Sequence, residues 1–100
     1  MTEPVDVVLE LYITGTSLNS AQAVANLRRI CQERLTSGYT LRVIDVLEDP
    51  QAAEDANILV TPTLIRRLPQ PVQLLVGDLS RTQQVLHGLG LSTHPHRKER

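Results

Sequence analysis

One long helical segment lies between two strand-like runs in the first half of the chain. Val5 to Ile13 is dominated by β-branched and apolar residues, which is typical of a strand buried on most of both faces. Asn19 to Thr36 repeats apolar residues at helical spacing, and Tyr39 to Val46 is again strand-like. A strand–helix–strand unit of this kind requires a right-handed crossover, so it predicts a parallel pair of strands.

The second half contains shorter elements. Asp49 can cap free helix amides and Pro50 suits a first helical position, so this pair predicts a short helix that ends near Asn57. Thr63 to Leu68 and Val72 to Val76 are predicted as strands, close enough in the chain for an antiparallel pair.

A last helix is predicted after these strands. Ser80 and Gln83 have the spacing of a capping box, in which Gln83 reaches back to the Ser80 amide. The predicted order is βαβαββα, which gives an α/β chain with a mixed four-stranded sheet and helices on both faces, the thioredoxin-like arrangement. We expect one domain over residues 1–91 and a polar, basic tail over residues 92–100.

Length and composition exclude several classes of function. The 100 residues carry a formal net charge of −1, with two Tyr as the only aromatic residues, so we expect no nucleic-acid partner. No apolar run approaches the roughly 20 residues that span a bilayer. The N-terminal residues lack the features of an export signal, so we expect a cytoplasmic protein with no membrane association.

The single cysteine argues against redox chemistry. Thioredoxin-type enzymes keep a nucleophilic cysteine at the start of the first helix, where the helix amides lower its pKa. Here Thr16 to Ala21 contains no cysteine, and Cys31 lies on the apolar stripe, where we expect a buried thiol. The chain is therefore predicted to be no enzyme and to need no cofactor and no metal.

Pro62 opens the third predicted strand after Thr61. A Thr-Pro pair at this point resembles the cis-proline that faces the active-site loop in thioredoxin-like folds, so a cis bond is predicted. The alternative is an ordinary trans proline at a strand edge.

Several sequence blocks together resemble one family. They are Leu9-Glu10-Leu11-Tyr12-Ile13-Thr14-Gly15, Val43-Ile44-Asp45-Val46-Leu47, Thr61-Pro62-Thr63-Leu64, Leu68-Pro69-Gln70-Pro71-Val72 and Gly77-Asp78-Leu79-Ser80. In this order they resemble the KaiB family of cyanobacterial circadian clock proteins over about Val7 to Leu91. Each block alone would be weak, but as a set they are specific.

The resemblance implies a binding protein. KaiB-like proteins bind the ring of the KaiC ATPase, and they capture KaiA or displace a histidine kinase that carries a related domain. A circadian clock role and a KaiC-linked timing or stress role are both open. Alternatives are a redox enzyme on the thioredoxin scaffold and an adaptor that competes with a histidine kinase sensor domain.

Charged residues without catalytic use are predicted to form the partner surface. We expect partner binding through the second half of the chain and the edge of the second strand. The candidate residues are Arg42, Glu54, Asp55, Arg66 and Arg67. Leu41, Arg42 and Val43 are the candidates for a contact with KaiA.

The resemblance also implies a second fold. Free KaiB-like proteins rest in a βαββααβ fold, as a homo-oligomer (a dimer or tetramer), and convert to the thioredoxin-like fold to bind. Slow X-Pro isomerisation and flexible glycines are predicted to set the balance. The candidate residues are Pro62, Pro69, Pro71, Gly88 and Gly90. Gly88→Ala is predicted to favour the thioredoxin-like fold, because it would strengthen the last helix.

Overall fold

Seven elements follow one another along residues 7–91, the part of the chain that the computed structural model describes. They are β1 (Val8–Ile13), α1 (Leu18–Arg34), β2 (Thr40–Asp45), α2 (Pro50–Asp55), β3 (Thr63–Leu68), β4 (Gln73–Val76) and α3 (Thr82–Gly88). This is the βαβαββα order that the sequence predicted. The predicted basic tail, residues 92–100, lies outside the described residues.

The strands form one mixed sheet with the order β2-β1-β3-β4. The central strand β1 runs parallel to β2, with Leu11 beside Val43, and antiparallel to β3, with Leu11 beside Leu64. The outer strand β4 is antiparallel to β3. The parallel β1–β2 pair and the antiparallel β3–β4 pair were both predicted, and the structure confirms them. The long crossover through α1 suits a parallel pair, and the short β3–β4 connection suits an antiparallel pair.

Helices cover both faces of the sheet. Alternate residues of a strand point to opposite faces, so Leu11 joins the core under α1 and α3, while Tyr12 packs on the α2 side. The larger core combines Leu9, Leu11, Leu64, Ala23, Leu27, Ile30, Cys31, Leu35, Leu79, Val85, Leu86 and Leu89. The smaller core consists of Tyr12, Ile44 and Ile65 beneath α2 and the residues that follow it. The thin α2 layer leaves part of its face of the sheet open.

Helices α1 and α2 begin within one residue of their predicted starts, whereas the predicted cap of α3 is absent. Asp49 caps α2 by accepting a hydrogen bond from the Ala52 amide at 3.1 Å, as predicted. The predicted capping box at α3 is wrong, because the helix begins two residues after Ser80. The Ser80 amide donates to the Asp78 carboxylate at 3.0 Å, so it is not free for Gln83. Hydrogen bonding by the Ser80 side chain, and then by the Ser80 amide, lowers the pKa of Asp78.

Three prolines follow cis peptide bonds: Pro62, Pro69 and Pro71. The cis bond before Pro62 was predicted from the sequence, and the other two were not. Pro62 ends the 57–62 loop directly before β3, and its carbonyl accepts a hydrogen bond at 3.0 Å from the amide of Gly77, the residue that follows β4. Among residues 7–91 no helix is long and apolar enough to cross a membrane.

Candidate partner-binding surface

The loop between β1 and α1 is held by its own neighbours. The Thr14 amide donates to the Ser20 hydroxyl at 3.0 Å, and the Gly15 amide donates to the Asp45 carboxylate at 3.0 Å. The Thr14 and Thr61 hydroxyls share a hydrogen bond across the loop. Serine and threonine hydroxyls cannot carry out disulfide exchange, so this loop offers no redox chemistry.

The thiol of Cys31 is remote from this loop and closed to solvent. Its side chain is fully buried in the core under α1. Burial raises the pKa of the Cys31 thiol to about 11, so the thiol stays protonated at neutral pH. The structure therefore confirms the predicted burial of Cys31. A protonated, inaccessible thiol acts neither as a nucleophile nor as a metal ligand, so Cys31 is a core residue.

An apolar patch stands at the end of the sheet where these loops meet. We define the apolar patch as Leu47, Leu59 and Val60, whose exposed fractions are 68%, 93% and 52%. Leu59 and Val60 border a shallow cavity of about 190 Å³ with Thr14 and Val46. An extra Cβ at Gly15 would lie 3.4 Å from the Leu47 side chain, so Leu47 reaches over the β1–α1 loop. Clustered exposed apolar side chains of this kind mark interaction sites.

A polar cleft lies beside the patch, between α2 and the open part of the sheet. We define the polar cleft by Glu10, Tyr12, Arg42, Asp55 and Arg67, which line an open cavity of about 470 Å³. The Glu10 carboxylate is central: its Oε1 accepts from Arg67 Nε at 3.0 Å and from the Tyr12 hydroxyl at 3.0 Å. Its Oε2 lies 3.9 Å from Arg42 Nη1. One carboxylate therefore positions two arginines and a tyrosine.

The pKa values of the cleft follow from this arrangement. Burial, and then the hydrogen bond to the Glu10 carboxylate, raise the pKa of Tyr12. The hydrogen bond to Glu10 is also the main cause that raises the pKa of Arg67. Tyr12 is thus a neutral donor and Arg67 a permanent cation near neutral pH, so the cleft presents a fixed pattern of charge to a partner.

The structure brings three of the five predicted partner-binding residues together. Arg42, Asp55 and Arg67 all line the polar cleft. Glu54 does not line the cleft. It is connected to Asp55 through Gln51, whose Nε2 donates to the Glu54 carboxylate at 3.3 Å and to the Asp55 carboxylate at 2.8 Å. Sequence reasoning missed Glu10, although a charge inside an otherwise apolar strand was the available signal.

Arg66 is a correction to the predicted surface. Its side chain is on the opposite face of β3 from Arg67, and the residue is only 6% exposed. Arg66 Nη2 donates to the Pro71 carbonyl at 2.7 Å, while Nε has no partner within the described residues. Strand alternation places these two neighbouring arginines on opposite faces, so the pair cannot act as one exposed charge.

The predicted fold-switch residues fall in two places. Pro62 precedes β3 at the apolar end, and Pro69 and Pro71 lie in the β3–β4 connection. Gly88 ends α3, where an added Cβ would lie 2.7 Å from Leu75 Cδ1. The predicted effect of Gly88→Ala therefore needs correction, because the gain in helix propensity is opposed by this close packing.

Gly90 lies beside the buried guanidinium of Arg66. Its φ of +80° lies in the left-handed region, and an added Cβ would be 3.1 Å from Arg66 Nη1. Arg66 thus hydrogen-bonds to the β3–β4 connection at Pro71 and lies close to Gly90 in the chain that follows α3. The buried Arg66 side chain therefore lies between Pro71 and Gly90, two of the predicted fold-switch positions.

Comparison with known proteins shows to which family the chain belongs. The family model for the KaiB domain matches residues 10–91. The chain belongs to the KaiB family. It is 56% identical over 85 residues to circadian clock protein KaiB3 of Synechocystis sp., covering 85% of this chain and 83% of the relative. It is 49% identical over 84 residues to circadian clock oscillator protein KaiB of Microcystis aeruginosa, covering 84% and 81%.

Solved structures confirm the thioredoxin-like fold of this KaiB-family chain. The N-terminal domain of Synechococcus elongatus SasA has a TM-score of 0.69 at 25% identity, covering 96% of this chain and 94% of that one. Mitochondrial thioredoxin 3 of Saccharomyces cerevisiae also has a TM-score of 0.69, at 14% identity over 85% of this chain and 77% of that one. The second likeness concerns the fold alone.

Proposed function

We propose that this KaiB-family chain is a non-enzymatic regulator that binds the hexameric ring of a KaiC-type ATPase, in a circadian clock or a related timing or stress system. The similarity to named clock proteins supports the clock setting. The observation that carries the proposal is the apolar patch, which is exposed at the cysteine-free end of a thioredoxin-like scaffold. We place this activity in the cytoplasm.

Leu59 is the anchor of the proposed interface. Its side chain is 93% exposed, so binding would remove almost its whole surface from water. Full burial of a leucine contributes about 1.5–3 kcal/mol. The polar cleft beside the patch adds charged groups, which mainly set the association rate and the salt dependence of binding.

The test compares two substitutions of the same chemistry. We expect Leu59→Glu to weaken binding to an ATP-loaded KaiC-type ring at least tenfold, because a carboxylate replaces the apolar anchor. Leu74→Glu in β4 is the matched control, since Leu74 is also exposed (56%) but lies at the far edge of the sheet. Equal affinity of Leu59→Glu and the unaltered chain, measured by biolayer interferometry, would reject the patch as the interface.

The charged part of the interface needs a test that avoids Arg66. Reversal of a buried arginine would damage the fold, so loss of binding would have no clear meaning. Arg42 is the better position, because its side chain is 62% exposed and forms an ion pair with Glu10 at a distance of 3.9 Å. We expect Arg42→Glu to slow association and to change its salt dependence, with little change in dissociation. An unchanged association rate at low salt would exclude the cleft from the encounter.

A second candidate role is competition with a sensor domain of related fold. The likeness to the SasA N-terminal domain over 96% of this chain favours it. Such a competitor should displace an isolated KaiB-like sensor domain from the same ring in a concentration-dependent way. Simultaneous binding of both proteins would separate the two surfaces and reject competition. A contact with KaiA through Leu41, Arg42 and Val43 on the β2 edge remains part of the proposal.

Conversion from a βαββααβ resting fold is the last part of the proposed function. Arg66 is a position where we expect the balance to be sensitive, because conversion to the thioredoxin-like fold would bury this cation between Pro71 and Gly90. The proposal includes Pro62, Pro69 and Gly88 as positions that set the balance. Two-dimensional NMR of the free protein should show two sets of amide peaks that change slowly when the ring is added. A single set with no slow phase would identify a chain with one fold.

A further inference from the structure

Arg66 is a buried cation without an opposite charge among residues 7–91. The residue is only 6% exposed, and it forms no ion pair within this part of the chain. Its Nη2 donates to the Pro71 carbonyl at 2.7 Å, whereas its Nε is buried and has no partner there. A buried cation with one neutral acceptor is unfavourable, because the hydration it loses is only partly replaced. An anion beside the guanidinium would remove this deficit.

The strands on either side of Arg66 supply no negative charge. The residue opposite it on β1 is Leu9, which is apolar and fully buried. The residue opposite it on β4 is Gln73, whose side chain is neutral. Glu10 lies on the other face of the sheet, where it pairs with the exposed arginines of the polar cleft. The sheet itself therefore leaves the charge of Arg66 unbalanced.

The end of α3 is close to Arg66 and is the alternative source of negative charge. The free carbonyls at the end of a helix attract cations. Here the carbonyls of Val85, Leu86 and His87 already accept hydrogen bonds from the amides of the 89–91 segment. The only hydrogen bond of the Arg66 side chain within residues 7–91 goes to Pro71 instead. The end of α3 is thus a weak counter-ion for this guanidinium.

Gly90 leaves one side of the guanidinium open to solvent. Gly90 is exposed, and an added Cβ would lie 3.1 Å from Arg66 Nη1. A side chain at this position would stand against Nη1, so glycine keeps that nitrogen accessible. Gln73 is also exposed, and its side chain is on the same face as Arg66 because the two residues are directly opposite in the register. We define the anion notch as Arg66, Gln73 and Gly90.

We propose that the anion notch binds a small oxyanion, of which inorganic phosphate is the simplest example. Arg66 Nη1 and the side-chain amide of Gln73 donate hydrogen bonds to the oxyanion. The planar guanidinium suits oxyanions, because its N–H groups match the spacing of their oxygens and the ionic hydrogen bonds are strong. The ligand is small, because the notch arises from one absent side chain and not from a deep cavity.

A bound oxyanion connects three segments of the chain. Arg66 lies on β3, Pro71 lies in the β3–β4 connection, and Gly90 follows α3. A ligand that binds only when these segments are together stabilises the folded arrangement in proportion to its concentration. The proposal does not depend on the function proposed above, because the notch is on the α1 and α3 face of the sheet. The polar cleft is on the opposite face, so partner binding and oxyanion binding can fail separately.

The test is a titration of the full chain with sodium phosphate at constant ionic strength, followed by two-dimensional NMR. Constant ionic strength, maintained with sodium chloride, keeps the screening of surface charges unchanged. The amide signal of Gly90 and the Nε–H signal of Arg66 should shift to saturation with one dissociation constant. We expect about 1–10 mM, since few contacts hold the ligand. At ten times that constant, the ratio of folded to unfolded chain should rise about elevenfold, which a urea titration measures.

Two neighbouring arginines provide matched variants. Arg66→Gln and Arg67→Gln remove the same charge from adjacent positions of β3, but on opposite faces of the sheet. Arg66→Gln should abolish the saturable shift of the Gly90 amide and the stabilisation by phosphate. Arg67→Gln should retain the dissociation constant within about twofold, because screened surface charge contributes little to a site on the other face.

A second pair of variants fills the notch from position 90. Asp and Asn both tolerate the left-handed backbone of Gly90, and they have nearly the same shape. Gly90→Asp places a carboxylate beside Arg66 Nη1, so it should have a higher urea midpoint than Gly90→Asn. Neither variant should respond to phosphate. The unaltered chain is itself titrated, so a variant that fails to fold does not remove the test. Shifts that grow linearly without saturation, phosphate binding by Arg66→Gln, or equal midpoints of the two Gly90 variants would each overturn the proposal.

Discussion

Glu10 connects the charges of the polar cleft, so its removal should destabilise the chain far more than removal of an ordinary surface carboxylate. Glu10→Ala leaves the Tyr12 hydroxyl, in a residue that is 3% exposed, without its acceptor. An unsatisfied buried hydroxyl costs about 1–3 kcal/mol. The lost ion pair with Arg67 adds less, because that side chain is 41% exposed and water replaces the contact.

We therefore expect Glu10→Ala to lower the free energy of unfolding by about 2–3 kcal/mol, most of it from the tyrosine. In urea this corresponds to a midpoint lower by about 0.7–3 M, for a typical slope of 1–3 kcal/mol per M. Glu33→Ala is the matched control, since Glu33 forms an exposed pair with Arg29 at 3.7 Å within one helix. That pair should contribute within about 0.5 kcal/mol.

A spectroscopic readout separates the hydrogen bond from general loss of packing. In a Tyr39→Phe background, absorbance titration follows Tyr12 alone. Glu10→Ala should lower the pKa of Tyr12, because the hydrogen bond to Glu10 and its negative charge are two of the causes that raise it. The part of the shift that comes from burial should remain. Equal stability losses for the Glu10 and Glu33 variants, with an unchanged Tyr12 pKa, would refute the reasoning.

Three further predictions concern stability. Because burial raises the pKa of Cys31 from 9.0 to about 11, the unfolded chain loses its thiol proton first; the free energy of unfolding should fall by about 2 kcal/mol between pH 9 and 11, and urea titrations of Cys31→Ala should lack this part of the fall. Gly88→Ala should stabilise the chain more in a Leu75→Ala background than alone, since shortening Leu75 removes the close contact; an additive double-mutant cycle would contradict this. Asp49→Ala should cost about 1 kcal/mol through loss of the α2 cap, with a similar loss in Asp49→Leu but not in Asp49→Ser.

Local patterns in the sequence were sufficient for the order of the elements. The helical spacing of apolar residues in α1 and the strand-like runs on either side determine a parallel crossover, whatever surrounds them. The cap at Asp49 also depends on neighbours in the chain. Ser80 shows the limit of such reasoning, because Asp78, two residues before it, competes for the same amide.

The candidate site was only partly predictable. A charge pattern indicated Arg42, Asp55 and Arg67, and folding brings these into one cleft. It could not separate Arg66 from Arg67, because the register of β3 against β1 decides which of two adjacent side chains faces the core.

The sequence by itself determined the element order, the absence of thiol chemistry at the start of the first helix and the family resemblance, since each depends on residues that are near one another in the chain. Only the tertiary structure decided that Glu10 holds residues from three strands, that Arg66 is buried and that, among residues 7–91, β4 pairs with β3 alone. These properties depend on which strands become neighbours and how far the short α2 extends over the sheet. Contacts between distant segments form together on folding, and no local pattern in the sequence specifies them individually.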